Sequence, residues 1–179
     1  LEHLGLKKVI SIGTSMGGLM TMIMASQKPE IFRAAIINDI GPEIAPEGLK
    51  RIKGYVGVSR DFASWEEAAE AIKIQQSPEV FPLYTTQDWM AFARRVCKQT
   101  PEGRIKFAFD PALANPFKED ATVSAPVDMW PFFGALKSIP VLTLRGERSD
   151  ILSAETLDKM TKSHPNSVAV TIPNIGHAP

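Results

Sequence analysis

Four short apolar runs stand out along the chain: Val9 to Ile12, Ala34 to Ile37, Val141 to Leu144, and Val168 to Ile172. Each is mostly aliphatic on successive residues and rich in β-branched side chains. That is the pattern of a strand covered on both faces, as in a parallel sheet flanked by helices. Strands are therefore expected near 7–13, 34–38, 140–145 and 167–172. Between the first two lies Met16 to Lys28, rich in Met, Leu and Ala and stopped by Pro29. Between the last two lies Ala154 to His164. Ser153 there is an N-cap, Glu155 falls in the first turn, and Lys162 and His164 fall in the last, where they complement the helix dipole. Strand, helix, strand at each end predicts right-handed crossover units. The fold class is then α/β, with a mostly parallel sheet of about four strands.

The middle of the chain reads differently. Ser64 followed by Glu67 makes a capping box, and Trp65, Ala68, Ala69 and Ile72 recur behind it at helical spacing. A second helix is expected over Gln87 to Lys98, with Trp89, Phe92, Ala93 and Val96 as its apolar stripe and Cys97 beside it. Ile105, Phe107 and Phe109 alternate like a strand until Asp110-Pro111 ends the pattern. A short helix is expected from Asp128 through Trp130 and Phe133. The organisation that follows is a core made of 1–41 and 135–179, with 42–134 inserted as a helical cap or lid.

Composition narrows the class. Of 179 residues, 44% are hydrophobic and 22% charged, which excludes a disordered or collagen-like chain. Lys plus Arg equals Asp plus Glu at 20 each, so nothing global draws the chain to nucleic acid or anionic lipid. One cysteine excludes an internal disulfide framework and a cysteine-rich zinc module. No apolar run approaches the roughly 18 residues of a membrane span, and no basic segment with an apolar core opens the chain. A cytoplasmic protein without a membrane or nucleic-acid partner is expected. The chain starts at Leu1 without a methionine and stops two residues after His177, so it reads as an internal fragment of a longer protein.

The chemistry concentrates where the strands end. Gly13-Thr14-Ser15-Met16-Gly17, extended by Gly18, stands at the end of the first strand and the start of the first helix. In that setting Gly-x-Ser-x-Gly is a nucleophile elbow, a strained turn that exposes the serine above the sheet. Bulky residues at Gly13 and Gly17 are expected to collide, and Gly18 to let the helix approach the neighbouring strand. Ser15 is the candidate nucleophile, and the Met16 amide at the helix start is a candidate oxyanion-hole donor. Three histidines are present. His3 precedes the first strand, His164 closes a helix, and His177 follows the last strand in Gly176-His177-Ala178-Pro179. Loops that leave the carboxyl ends of parallel strands form the sites of open α/β sheets, which makes His177 the candidate base. A carboxylate must then orient the imidazole. Asp150, in Arg145-Gly146-Glu147-Arg148-Ser149-Asp150 after the third strand, is the leading candidate, with Glu147 a rival in the same loop. Asp39, in Asn38-Asp39-Ile40-Gly41-Pro42 after the second strand, is the alternative acid.

These segments resemble the α/β-hydrolase superfamily in its lidded, esterase-like branch. Leu4 through Gly18 is similar to the family's fifth strand and elbow, Arg145 through Asp150 to its acid loop, and Gly176-His177 to its histidine loop. The resemblance implies a Ser15, Asp150, His177 triad, an acyl-enzyme, and no metal or organic cofactor. Related families carry the acid after the sixth strand, which keeps Asp39 in view. A carboxylic ester or lactone is the expected substrate. A carbon–carbon bond hydrolase with the same triad is one alternative; a non-catalytic ligand receptor on the same fold is another. Trp65, Trp89, Trp130, Phe132 and Phe133 are candidates to line an apolar pocket or simply to pack. The resemblance also implies strands ahead of the elbow that supply a second oxyanion amide, and nothing in this chain matches them.

Overall fold

The computed structural model describes residues 2–55, 60–76, 78–110, 112–113, 115 and 127–177. In chain order the strands are β1 (Val9–Thr14), β2 (Phe32–Asn38), β3 (Asp61–Phe62), β4 (Cys97–Gln99), β5 (Ile105–Phe107), β6 (Val141–Gly146) and β7 (Ser167–Ile172). The helices are α1 (Met16–Gln27), α2 (Pro46–Tyr55), α3 (Trp65–Gln75), α4 (Thr86–Val96), α5 (Trp130–Gly134) and α6 (Ala154–Ser163). They form two compact units, Leu1–Leu49 with Ala125–Pro179, and Lys50–Ser124. The chain passes from the first unit to the second inside α2, between Leu49 and Lys50. Among the described residues no helix is long and apolar enough to cross a membrane.

The first unit holds a parallel sheet in the order β1-β2-β6-β7. Helix α1 links β1 to β2, and α6 links β6 to β7, so both expected strand–helix–strand units are present. The two central strands carry the buried core, with Ala35 and Ile37 on β2 beside Val141 and Thr143 on β6. Within residues 1–179 the outer strands are less covered than the central pair. Ile10 and Ile12 on β1 are 61% and 72% exposed, and Val168 and Val170 on β7 are exposed as well.

Helix α1 seats close to the sheet because of glycine. A Cβ on Gly18 would stand 2.3 Å from Ile40 Cγ2, so only a bare Cα permits the approach. Met22 and Ala25, on the covered face of the helix, are both buried. Helix α6 starts as expected, the Ser153 hydroxyl accepting the Thr156 amide at 3.0 Å. His164, however, is no surface complement to a dipole. It lies just past the last helical residue, is 2% exposed, and sits against the ring of Phe133. Its Nδ1 accepts the Asn166 amide at 3.2 Å, which leaves Nε2–H to donate to the Leu136 carbonyl at 2.9 Å. Both ring nitrogens are satisfied within the core, a structural role.

The second unit is built on α3 and α4 and also contains a small antiparallel sheet, β3-β5-β4. Helix α4 was expected to run to Lys98 but ends at Val96, because Cys97 turns extended and pairs with Phe107. Cys97 therefore opens a strand instead of lying on a helix; it is buried, and burial pushes its thiol pKa up. The Ser64 hydroxyl caps α3 through the Glu67 amide, while the Glu67 carboxylate reaches the Ala63 amide and not that of Ser64. A full capping box does form at α4. There the Thr85 hydroxyl accepts the Asp88 amide at 3.3 Å, and Asp88 Oδ2 accepts the Thr85 amide at 2.8 Å. Trp89, Phe81 and Tyr84 cluster beside it with ring centroids 4.9–5.6 Å apart.

Candidate active site

Ser15 sits between the last residue of β1 and the first of α1, at φ 50° and ψ −118°. This lies outside the ordinary right-handed and extended regions for a residue with a side chain. The turn is held on both sides. The Ser15 amide donates to the Asn38 carbonyl at 3.0 Å, and the Ser15 carbonyl accepts the amides of Gly18 and Leu19. Gly13 has the steric role foreseen for it, since a Cβ there would stand 2.5 Å from the Gly17 carbonyl. Gly17 does not: a Cβ on it meets nothing within 4 Å. The crowding runs from Gly13 onto the backbone of Gly17, so one glycine of the pair carries the constraint. Met16 is the first residue of α1, and its amide is one of the unpaired first-turn donors of that helix.

Asp39 is the neighbouring residue one strand over. Thr14 and Asn38 are partners in the sheet, so Ser15 and Asp39 leave adjacent strands side by side at their carboxyl ends. Asp39 adopts φ 53°, a left-handed conformation that aspartate tolerates better than most residues. Its side chain is fully buried, 0% exposed, and well held. Gly146 N–H donates to Oδ1 at 2.9 Å, and the Ser149 hydroxyl donates to Oδ2 at 2.6 Å.

The carboxylate set against the histidine is this one. His177 Nδ1 lies 2.8 Å from Asp39 Oδ2, with the His177 side chain 12% exposed. A carboxylate only accepts, so Nδ1–H donates to it, and in the neutral tautomer that makes this bond Nε2 is an acceptor. The sequence put Asp150 first for this place and Asp39 second; the carboxylate found at His177 Nδ1 is that of Asp39. The loop after β6 turns Ser149 and the Gly146 amide toward Asp39, and it is Asp39 that meets the imidazole. Glu147, the other rival in that loop, accepts the Asn174 amide at 2.8 Å. The loop that carries His177 approaches so closely that a Cβ on Gly146 would stand 2.0 Å from the Gly176 carbonyl.

Of the aromatic candidates, Trp89 and Phe133 are core residues. Trp130 is pinned: its indole N–H donates to Glu43 at 2.6 Å, and Lys159 Nζ lies 4.0 Å from its ring centroid. Lys159 also pairs with Glu43 at 2.6 Å, and that bond, with the indole's, lowers the Glu43 pKa. Trp65 is stacked beneath the Arg94 guanidinium at 4.5 Å. Ser149 and Gly146, which bond the Asp39 carboxylate, lie in the loop after β6 but carry no signal in the sequence for that contact.

Comparison with known proteins agrees with this architecture. The family described as alpha/beta hydrolase fold matches residues 1–179. A 3-hydroxybutyrate-oligomer hydrolase of Cupriavidus necator is 32% identical, over all of this chain and 62% of its own length. The crystal structure of an alpha/beta hydrolase from Novosphingobium aromaticivorans superposes with a TM-score of 0.90 at 46% identity, covering 100% of this chain and 62% of that one. A 2-(acetamidomethylene)succinate hydrolase of Mesorhizobium japonicum is 23% identical over 94% of this chain and 57% of its own length. The chain thus spans about three-fifths of the length of the relatives it matches. With its parallel sheet, its strained serine turn and the family match along its whole length, the chain belongs to the alpha/beta hydrolase fold family.

Proposed function

We propose that the protein is a serine hydrolase in which Ser15 is the nucleophile, His177 the base and Asp39 the acid. The observation that carries this reading is the bond from His177 Nδ1 to the buried Asp39, at the strand end next to Ser15. In the proposed reaction His177 Nε2 takes the Ser15 proton as the hydroxyl oxygen attacks a carbonyl carbon. The Met16 amide, at the start of α1, stabilises the oxyanion. Protonated His177 gives its proton to the leaving group, and water activated by the same imidazole then hydrolyses the acyl-enzyme. A buried carboxylate opposite Nδ1 supports the imidazolium through both steps.

A carboxylic ester is the proposed substrate class. The 32% identity to a hydrolase of 3-hydroxybutyrate oligomers supports it. The test is turnover of p-nitrophenyl butyrate by the natural full-length protein and its Ser15→Ala variant. Replacing the nucleophile should cut kcat by roughly 10⁴ to 10⁶ while the fold persists. Turnover retained within a few-fold in Ser15→Ala would remove the nucleophile and the proposal together.

A further inference from the structure

One group that holds Asp39 has no part in the reaction just described. Ser149 Oγ lies 2.6 Å from Asp39 Oδ2, and the same oxygen accepts the amides of Ile151 at 3.1 Å and Leu152 at 3.2 Å. A serine hydroxyl has one proton and two lone pairs. With two main-chain N–H groups on the lone pairs, the proton has one direction left, and Asp39 Oδ2 lies along it. The turn itself is fixed, because the Ser149 amide donates to the Gly146 carbonyl at 3.0 Å. The Gly146 amide in turn binds Asp39 Oδ1 at 2.9 Å. A single loop therefore grips both oxygens of the carboxylate.

We propose that Ser149 is a positioning residue that sets both the plane of the Asp39 carboxylate and the share of its charge facing His177. The proposal rests on the reading of Ser15, His177 and Asp39 as a triad. Oδ2 is the oxygen met by His177 Nδ1 at 2.8 Å, so the hydroxyl and the imidazole draw on the same charge. Without the hydroxyl, more of that charge faces the imidazole and favours its protonated form. The base must be unprotonated to act, so the acid limb of kcat/KM moves to higher pH. The other charged groups of this face are common to wild type and variant. Arg145 Nε donates to the Leu152 carbonyl at 2.7 Å, Glu147 accepts the Asn174 amide at 2.8 Å, and Arg148 reaches Asn174 Oδ1 at 3.4 Å. Asp150 follows Ser149 in the chain, and Glu43 pairs with Lys159. A difference in profile therefore reports the hydroxyl.

The experiment measures kcat and KM for p-nitrophenyl butyrate across roughly pH 5–9, spanning the ordinary histidine range, with the natural full-length protein. Ser149→Ala should lower kcat about tenfold with KM nearly unchanged and raise the acid limb by about half a pH unit. Ser149→Thr, which keeps the hydroxyl, should restore both. Ser149→Ala also strips an acceptor from two amides in a buried turn. If it does not fold, Ser149→Cys keeps the volume and a weak acceptor and should show the same shift at smaller size. A wild-type kcat and acid limb in either variant overturns the proposal. So does a loss of kcat with an unmoved limb, which would mark a structural role. Asp39→Asn run alongside separates the two levels. Full activity in that variant overturns the triad reading, whereas its loss beside an unaffected Ser149→Ala overturns the positioning role alone.

Discussion

At the scale of single residues, the site is built by a few backbone positions that have no freedom to change. Gly146 is the clearest. Its amide holds Asp39 Oδ1, and its missing Cβ leaves room for the Gly176 carbonyl, which otherwise would be 2.0 Å away. Gly146→Ala should push back the loop that carries His177. We expect a loss of about 1–3 kcal/mol in stability, as for other overpacked sites, and a larger fall in activity than in melting temperature. Denaturant unfolding and esterase assay of the full-length variant check it; wild-type behaviour in both would mean the loop has slack. Ser15 and His177 were legible as candidates because each follows a recognisable strand and has glycine beside it. Which carboxylate meets His177 was not legible in the sequence, since Asp39 and Asp150 both follow strands and the loop motif favoured Asp150. What separates them is three-dimensional: the Gly146 amide and the Ser149 hydroxyl converge on Asp39 across 107 and 110 residues of chain. No local pattern records such a convergence.

At the scale of elements, the strands of the parallel sheet were readable because two-sided burial leaves a continuous aliphatic run, and β2 and β6 keep that pattern. The short strands of the second unit were not. β3 has two residues and β4 three, too few to show a period, and Cys97-Lys98-Gln99 reads as the tail of a helix until Phe107 pairs with it. The capping box at α4 was missed for a simpler reason, since Thr85 and Asp88 lie beside a prominent aromatic stripe that placed the start of the helix at Gln87. That box has a measurable weight. Thr85→Ala should destabilise the second unit by about 1 kcal/mol, as N-cap deletions do, without changing kcat. Chemical denaturation with the esterase assay as control decides it, and an unchanged midpoint would show that the cap contributes nothing there.

At the scale of the whole molecule, β1 stands at the edge of the sheet with Ile10 and Ile12 exposed, and α1 adds exposed Met16, Met20 and Met24 nearby in sequence. A flat aliphatic edge strand is a template for pairing with another chain. Residues 1–179 expressed alone should therefore self-associate at micromolar concentration, and Ile10→Lys with Ile12→Lys should reduce that association. Sedimentation velocity tests the point, and a monodisperse monomer of the unsubstituted chain would contradict it. The central claim concerns the order of the three groups that end β1, β2 and β7. It is tested most directly by the rate at which a fluorophosphonate probe labels Ser15 in the full-length protein, compared among wild type, Asp39→Asn and Asp150→Asn. The account predicts labelling at Ser15 that slows by roughly 10⁴ in Asp39→Asn, if the cost of the equivalent change in a serine protease transfers, and that stays within a few-fold of wild type in Asp150→Asn. The reverse ranking, or labelling at a serine other than Ser15, would contradict it.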